Sequence, residues 1–193
     1  MHLKWKAEEM KMSVDDFAIK GIHNQYNTMA AGISAIVMRI RKEKIRDAIQ
    51  TFENLEHRMS TVATIKNVEF INDSKATNVN STWYALESMK KPVILILGGV
   101  DKGNNYSLLK DLVREKVKAI VCMGVDNTKI HAAFGDEVQL IVNTQSAKDA
   151  VQAAFHFANQ GDVVLLSPAC ASFDLFKNYE DRGMQFIEAV KDL

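Results

Sequence analysis

Three polar segments directly follow apolar runs and carry the side chains best suited to chemistry. Val68–Ile71 leads into Asn72-Asp73-Ser74-Lys75-Ala76-Thr77-Asn78, and Val93–Leu97 leads into Gly98-Gly99-Val100-Asp101-Lys102-Gly103. Val163–Leu166 leads into Ser167-Pro168-Ala169-Cys170-Ala171-Ser172. Together they offer ammonium groups at Lys75 and Lys102, hydroxyls at Thr77 and Ser172, and a carboxylate at Asp73. Cationic and hydroxyl donors gathered in one place suit an anionic ligand such as a carboxylate or a phosphate. Plainer readings stay open beside this one. Asn72–Asn78 also has the composition of a loop that caps a helix beginning near Val79, and Gly98-Gly99 that of a tight turn. Several other chemistries find no support. The chain has no GxGxxG fingerprint and no GxxxxGK[ST] phosphate loop, and no GxSxG elbow that would make Ser172 a hydrolase nucleophile. Cys122 and Cys170 belong to no CxxC pair or zinc spacing and read as reduced, buried thiols. His2, His131 and His156 lack carboxylate or cysteine partners at ligand spacing, so no metal site is expected.

For these segments to act together, the elements before them must end at one edge. Val93–Leu97, Ala119–Met123, Val138–Val142 and Val163–Leu166 are continuous apolar runs, as expected for strands buried on both faces of a parallel sheet. Between them, Leu108, Leu109, Leu112 and Val113 fall at helical spacing, as do Ala147, Ala150, Val151, Ala154, Phe155 and Ala158 behind a capping box of Ser146 and Asp149. A final helix carries Phe186, Ile187 and Val190. Thr61–Ile65 and Val68–Ile71 are short and β-branched, with Asn67 at a hairpin turn. This rhythm predicts an α/β domain over residues 60–193, a Rossmann-like, open and mostly parallel sheet flanked by helices. Ligands of such sheets bind beyond the carboxyl ends of the strands. Upstream, Met12–Ile19 reads as a strand interrupted by Asp15 and Asp16, and Gly21 then breaks it. A helix follows with Met29, Ala30, Ile33, Ile36, Val37 and Ile40 on one face, then a second with Ile45, Ala48, Ile49 and Phe52. Residues 1–59 are thus expected to be mostly helical and too short for an ordinary domain. Arg39, Arg41, Lys42, Lys44 and Arg46 around the junction of the helices read as a solvated face.

Composition narrows the classes further. Lysine plus arginine and aspartate plus glutamate each total 24 among 193 residues, so the chain lacks the overall positive charge of a typical nucleic-acid binder. A hydrophobic fraction of 47% excludes a disordered chain. No apolar run is long enough to span a bilayer, and the N-terminus lacks the apolar core of a signal peptide. A cytoplasmic protein with neither a membrane nor a nucleic-acid partner is expected.

At the polar segments the chain resembles the Mur ligase family, and within it the branch that adds D-glutamate. Asn72–Asn78 and Ser167-Pro168-Ala169-Cys170-Ala171-Ser172-Phe173-Asp174 carry the likeness, with Gly98-Gly99-x-Asp101-Lys102 between them. His23-Asn24-x-x-Asn27, His57-Arg58 and Asn178-Tyr179-Glu180-x-Arg182-Gly183 extend it over nearly the whole chain. The resemblance implies an ATP- and Mg2+-dependent ligase that activates the carboxylate of UDP-MurNAc-L-alanine as an acyl phosphate, which the amine of D-glutamate then attacks. It implies that Asn24 and Asn27 lie near the adenine, Arg58 near the ATP phosphates, and that Asp73 helps hold the nucleotide. Lys75 is implied as the catalytic residue near the reacting phosphate, Thr77 and Lys102 as holding the α-carboxylate of D-glutamate, and Ser172 with the backbone around Tyr179 as holding its side-chain carboxylate. Two positions depart from the pattern. Ser60 stands where a glutamate often follows the His-Arg pair, and Tyr179 stands where phenylalanine is common. The family's phosphate loop, metal ligands and UDP-binding domain have no counterpart here. Residues 1–59 are therefore expected to be the end of a central ATPase domain and 60–193 the D-glutamate-binding domain, with the rest of the ligase chain as partner. The isolated chain is expected to be unable to ligate. Alternatives are a free-standing Rossmann-like ligand-binding module and a regulatory module without ligase activity.

Overall fold

A computed structural model describes residues 2–5, 8–19, 22–52 and 55–193. Gly21, expected to break a strand, lies outside the described residues. The chain forms two compact units, Met1–Leu55 and Glu56–Leu193.

The first unit holds an antiparallel hairpin of β1 (His2–Trp5) and β2 (Glu8–Lys11), followed by α1 (Ile22–Val37) and α2 (Lys42–Thr51). The expected strand over Met12–Ile19 is not formed. Phe17 N–H instead donates to Val14 O and Asp15 N–H to Ser13 Oγ, so the segment curls into a turn. Its apolar residues still point inward, with Met12 and Phe17 joining Leu3, Met10, Ile36, Ile45 and Ile49 in a small core. Met12 and Val14 alternate as in a strand, but Phe17 falls out of that phase, and local side-chain bonding sets the backbone.

The second unit is built on a six-stranded mixed sheet of order β3-β4-β8-β5-β6-β7. Its strands are β3 (Ser60–Ile65), β4 (Val68–Asn72), β5 (Val93–Leu97), β6 (Val117–Met123), β7 (Ile141–Thr144) and β8 (Val163–Leu166). Only the β3–β4 pair is antiparallel. Lys66 and Asn67 join these two strands with φ of 47° and 63°, the left-handed pair that a two-residue hairpin turn requires. The expected Val138–Val142 strand begins later, at Ile141, because Glu137 and Val138 N–H groups bond back to Phe134 O and extend the preceding turn.

The helices are α3 (Val79–Ser88), α4 (Lys110–Lys116, entered through a 3₁₀ turn at Tyr106–Leu109), α5 (Thr128–Phe134), α6 (Ala147–Phe157) and α7 (Tyr179–Lys191). Asn78 caps α3 by accepting from Ser81 N–H, and Ser146 caps α6 by accepting from Asp149 N–H. The alternate side chains of β5 feed different cores. Val93, Leu95 and Leu97 pack with α3, α4 and α5, whereas Ile94 and Ile96 pack with α6 and α7. Burial on both faces explains the unbroken apolar run. The chain steps outward from β5 to β6 to β7 and then returns to lay β8 between β4 and β5. This reversal is the switch point at which such sheets hold ligands.

Candidate functional site

The carboxyl ends of β4 and β8 are tied to the start of α7 by buried polar groups. Asn72 is fully buried, with Nδ2 donating to Gly183 O at 3.1 Å and lying 3.0 Å from His57 Nδ1, while its Oδ1 accepts from Ser74 N–H at 3.1 Å. Those contacts orient the amide, so His57 Nδ1 is the acceptor and the neutral ring carries its proton on Nε2. Gly183 allows this approach, since a Cβ there would lie 2.3 Å from His57 Nδ1.

Arg182 is buried in the same corner. Its Nε donates to Ser74 Oγ at 3.0 Å, Nη2 to Ser74 O at 2.8 Å and Nη1 to Cys170 O at 3.2 Å. One rigid guanidinium thus bridges the loops that follow β4 and β8. Burial lowers its pKa from 12.5 to about 10, against the opposing pull of Cys170 and Asp174, and it stays charged at neutral pH.

Asp73 has the opposite problem. Its Oδ1 accepts from Met59 N–H at 3.2 Å and its Oδ2 from Ser167 Oγ at 2.9 Å. Burial pushes the carboxyl up to about 7, although the Ser167 and Met59 bonds and the Arg58 charge all favour the ionised form. Each oxygen accepts one bond and keeps a lone pair for a further donor.

Lys75 lies beside this corner, half-buried, with Nζ donating to Tyr179 Oη at 2.9 Å and standing 4.7 Å from that ring's centroid. Thr77 follows on the turn made by Thr77 N–H donating to Lys75 O. Across the crevice, Gly98 and Gly99 have φ of 132° and 127°, and a Cβ on Gly99 would lie 2.2 Å from Ala171 O. The glycines therefore allow a close approach as well as a turn. Val100 and Ala171 exchange backbone bonds there, joining the β5 and β8 loops.

Asp101 shapes the loop that carries Lys102. Its Oδ1 accepts from Gly103 N–H, Asn104 N–H and Lys129 Nζ. Partial burial works against ionisation, but the Lys129 ammonium and these backbone donors hold the carboxyl below its usual range. Asp101 Oδ2, Asn127 Oδ1 and Asp174 Oδ1 are buried without a hydrogen-bond partner. A cleft of about 330 Å³ opens between Gly99, Asp101, Tyr106, Lys129 and Asp174.

Of the residues singled out in the sequence, Asp73, Lys75, Thr77 and Tyr179 gather around the β4 end, and Ser172 lies buried in the loop joined to it by Arg182. Arg58 adjoins Asp73 through its charge. Lys102 is exposed and makes no hydrogen bond or ion pair with the described residues. Asn24, buried, and Asn27, exposed, lie on α1 in the first unit. Arg182, His57 and Ser167 were not assigned site roles from sequence. The signal was present for Arg182, since an arginine flanked by Gly183 and Phe186 on an amphipathic helix faces inward. Among the described residues, no group of three or more His, Cys, Asp or Glu is placed to hold a metal ion, and no helix is long and apolar enough to cross a membrane.

A family model described as "Mur ligase, glutamate ligase domain" matches residues 57–170. Among curated proteins, the UDP-N-acetylmuramoylalanine--D-glutamate ligase of Christiangramia forsetii is 57% identical over 94% of this chain and 41% of its own length. The protein of the same name from Porphyromonas gingivalis is 53% identical over 94% of this chain and 40% of its own length. The chain therefore spans about two fifths of the relatives it matches. In fold, it is similar to a pseudomurein peptide ligase type C from Methanothermus fervidus, with a TM-score of 0.67 at 16% identity, covering 99% of this chain and 39% of that one.

Proposed function

The chain belongs to the Mur ligase family, and from that premise we propose that it is the D-glutamate-binding portion of an ATP-dependent ligase of peptidoglycan synthesis. The complete enzyme would join D-glutamate to UDP-MurNAc-L-alanine in the cytoplasm. The acceptor carboxylate attacks the γ-phosphorus of ATP and releases ADP. The amine of D-glutamate then attacks the acyl carbon, expelling inorganic phosphate and losing a proton. Such chemistry depends on positioning and on neutralising charge as it develops.

The observation that carries this reading is the binding of the three strand-end loops into one edge at the switch point, by Arg182 to Ser74 and Cys170, Ser167 to Asp73, and Gly98 to Pro168. Lys75 follows β4, Lys102 follows β5, and Ser172, buried, follows β8. In this reading Lys75 faces the reacting phosphate. Thr77 and Lys102 take the α-carboxylate of D-glutamate, and Ser172 with the Tyr179 backbone takes its side-chain carboxylate. A dicarboxylate needs donors at both ends, and this edge has them. Asp73, with lone pairs still available, accepts from the nucleotide, Arg58 meets its phosphates, and Asn24 and Asn27 meet the adenine. In this reading the Mg2+ ligands belong to the rest of the ligase chain, and no step here is assigned to the ion.

Calorimetry tests the D-glutamate site. The chain should bind D-glutamate weakly, because a pocket completed by closure is only partly present, and Lys102→Ala should weaken binding at least tenfold, the order expected for loss of a charge-assisted contact. Equal binding by the variant would overturn the assignment of Lys102. ATP-dependent ligation by this chain alone would overturn the reading of it as an incompetent part.

A further inference from the structure

Lys75 is not free at the crevice edge. Its Nζ donates to Tyr179 Oη at 2.9 Å and lies 4.7 Å from the ring centroid, so the phenol oxygen takes the ammonium at the edge of the ring. The phenol itself is held in place. Tyr179 is the first residue of α7, and its backbone carbonyl accepts from Ser74 Oγ at 2.8 Å, one residue before the lysine it holds. Arg182, one turn along α7, bonds to both Ser74 Oγ and Ser74 O. The His57 ring stands edge-on at 6.4 Å and is itself fixed by Asn72. Backbone, guanidinium and imidazole therefore fix where the phenol sits before Lys75 meets it.

The hydroxyl also has a second neighbour. Glu180 is exposed, and its carboxyl is held below the usual range chiefly by hydrogen bonding with the Tyr179 hydroxyl, with the Lys75 charge contributing. A phenylalanine here would lose the oxygen that accepts from Lys75.

We propose that Tyr179 is a positioning residue whose hydroxyl latches the Lys75 ammonium over the α7 terminus, so that the lysine tip is ordered before any ligand arrives. Ordering in advance removes the rotamer cost of fixing a long lysine side chain at the moment of binding. That Lys75 then serves a phosphate rests on the ligase reading. The latch does not.

Trace labelling with acetic anhydride at about pH 8, read residue by residue by mass spectrometry, tests the latch on the whole chain. The exposed Lys102 serves as the internal standard. The Lys75-to-Lys102 rate ratio should rise about three- to tenfold in Tyr179→Phe, the effect expected for losing one charge-assisted hydrogen bond. It should rise at least as far in Tyr179→Leu, which also removes the ring. A Tyr179→Phe ratio equal to wild type overturns the proposal. The labelling needs neither ligand nor turnover, so failure of the latch and failure of the ligase reading are told apart.

Discussion

Two corners of the same crevice solve the burial of polar groups differently. At the β4–β8–α7 corner, Asn72, Ser74, Ser167 and Arg182 are buried and bonded to one another or to backbone. At the β5–β6 corner, Asp101, Asn127 and Asp174 each leave one buried oxygen without a partner, and Lys102 stands in solvent. Buried acceptors left unpaired are costly and call for an explanation. Those four residues of the first corner form a bonded scaffold, and the second corner keeps unspent hydrogen-bonding capacity. One corner fixes geometry, while the other leaves room for what binds.

Substitutions can break or sharpen that contrast. Arg182→Met should have the largest effect, lowering urea-measured stability by about 3 kcal/mol, because Ser74 O and Cys170 O lose their buried donor. A loss below about 1 kcal/mol would mean that the loops hold together without the guanidinium. Asp73→Asn comes next and has a distinctive pH dependence. A carboxyl whose pKa is raised from 3.8 to about 7 on folding binds more protons folded than unfolded, so its contribution to stability falls as pH rises from about 4 to about 7 and levels off above that. At pH 8 the variant should therefore be more stable than wild type, by on the order of 2 kcal/mol after the altered Ser167 and Met59 bonds are allowed for, and near pH 4 the gain should vanish. Melting curves across that range check the sign. Asp101→Ala should cost about 1 kcal/mol, since the side chain organises the Gly103–Asn104 turn but its Lys129 partner is exposed. The same Lys102→Ala variant that weakens D-glutamate binding should leave stability within about 0.5 kcal/mol, because Lys102 is exposed and bonds to none of the described residues.

How far this contrast was legible in the sequence depends on the kind of residue. The doubly buried strands announced themselves, since Val93–Leu97 has no polar residue to place on an exposed face. The polar segments after β4, β5 and β8 were visible for the same reason, as abrupt ends to apolar runs. The capping reading of Asn72–Asn78 and the functional one turn out to be compatible. Asn78 caps α3, while Asp73 and Lys75 turn toward the crevice edge. What could not be read was which distant residues would meet. Arg182 bonds Ser74 across 108 positions and Asn72 bonds Gly183 across 111, and no local pattern encodes either pairing. The N-terminal hairpin was missed because in its second strand the buried Met10 lies between exposed Glu9 and Lys11, too little alternation to stand out. The Met12–Ile19 strand was expected for the converse reason. Met12 and Val14 sit at strand-like spacing, but Ser13 and Asp15 bond locally and turn the chain.

The position of β8 has a consequence for how the chain acquires this structure. Within the sheet, β4 and β5 each pair with β8 and not with each other, and Asp73 waits for a hydroxyl 94 residues further on. During synthesis, neither strand can complete its inner edge while β8 is still unmade. The nascent sheet then exposes two unpaired hydrophobic edges until β8 has been made, the condition under which a chain is most exposed to mispairing. Its contact order is high for the same reason, so folding of the second unit should be slow and cooperative, closing when the strand that arrives last takes the central place.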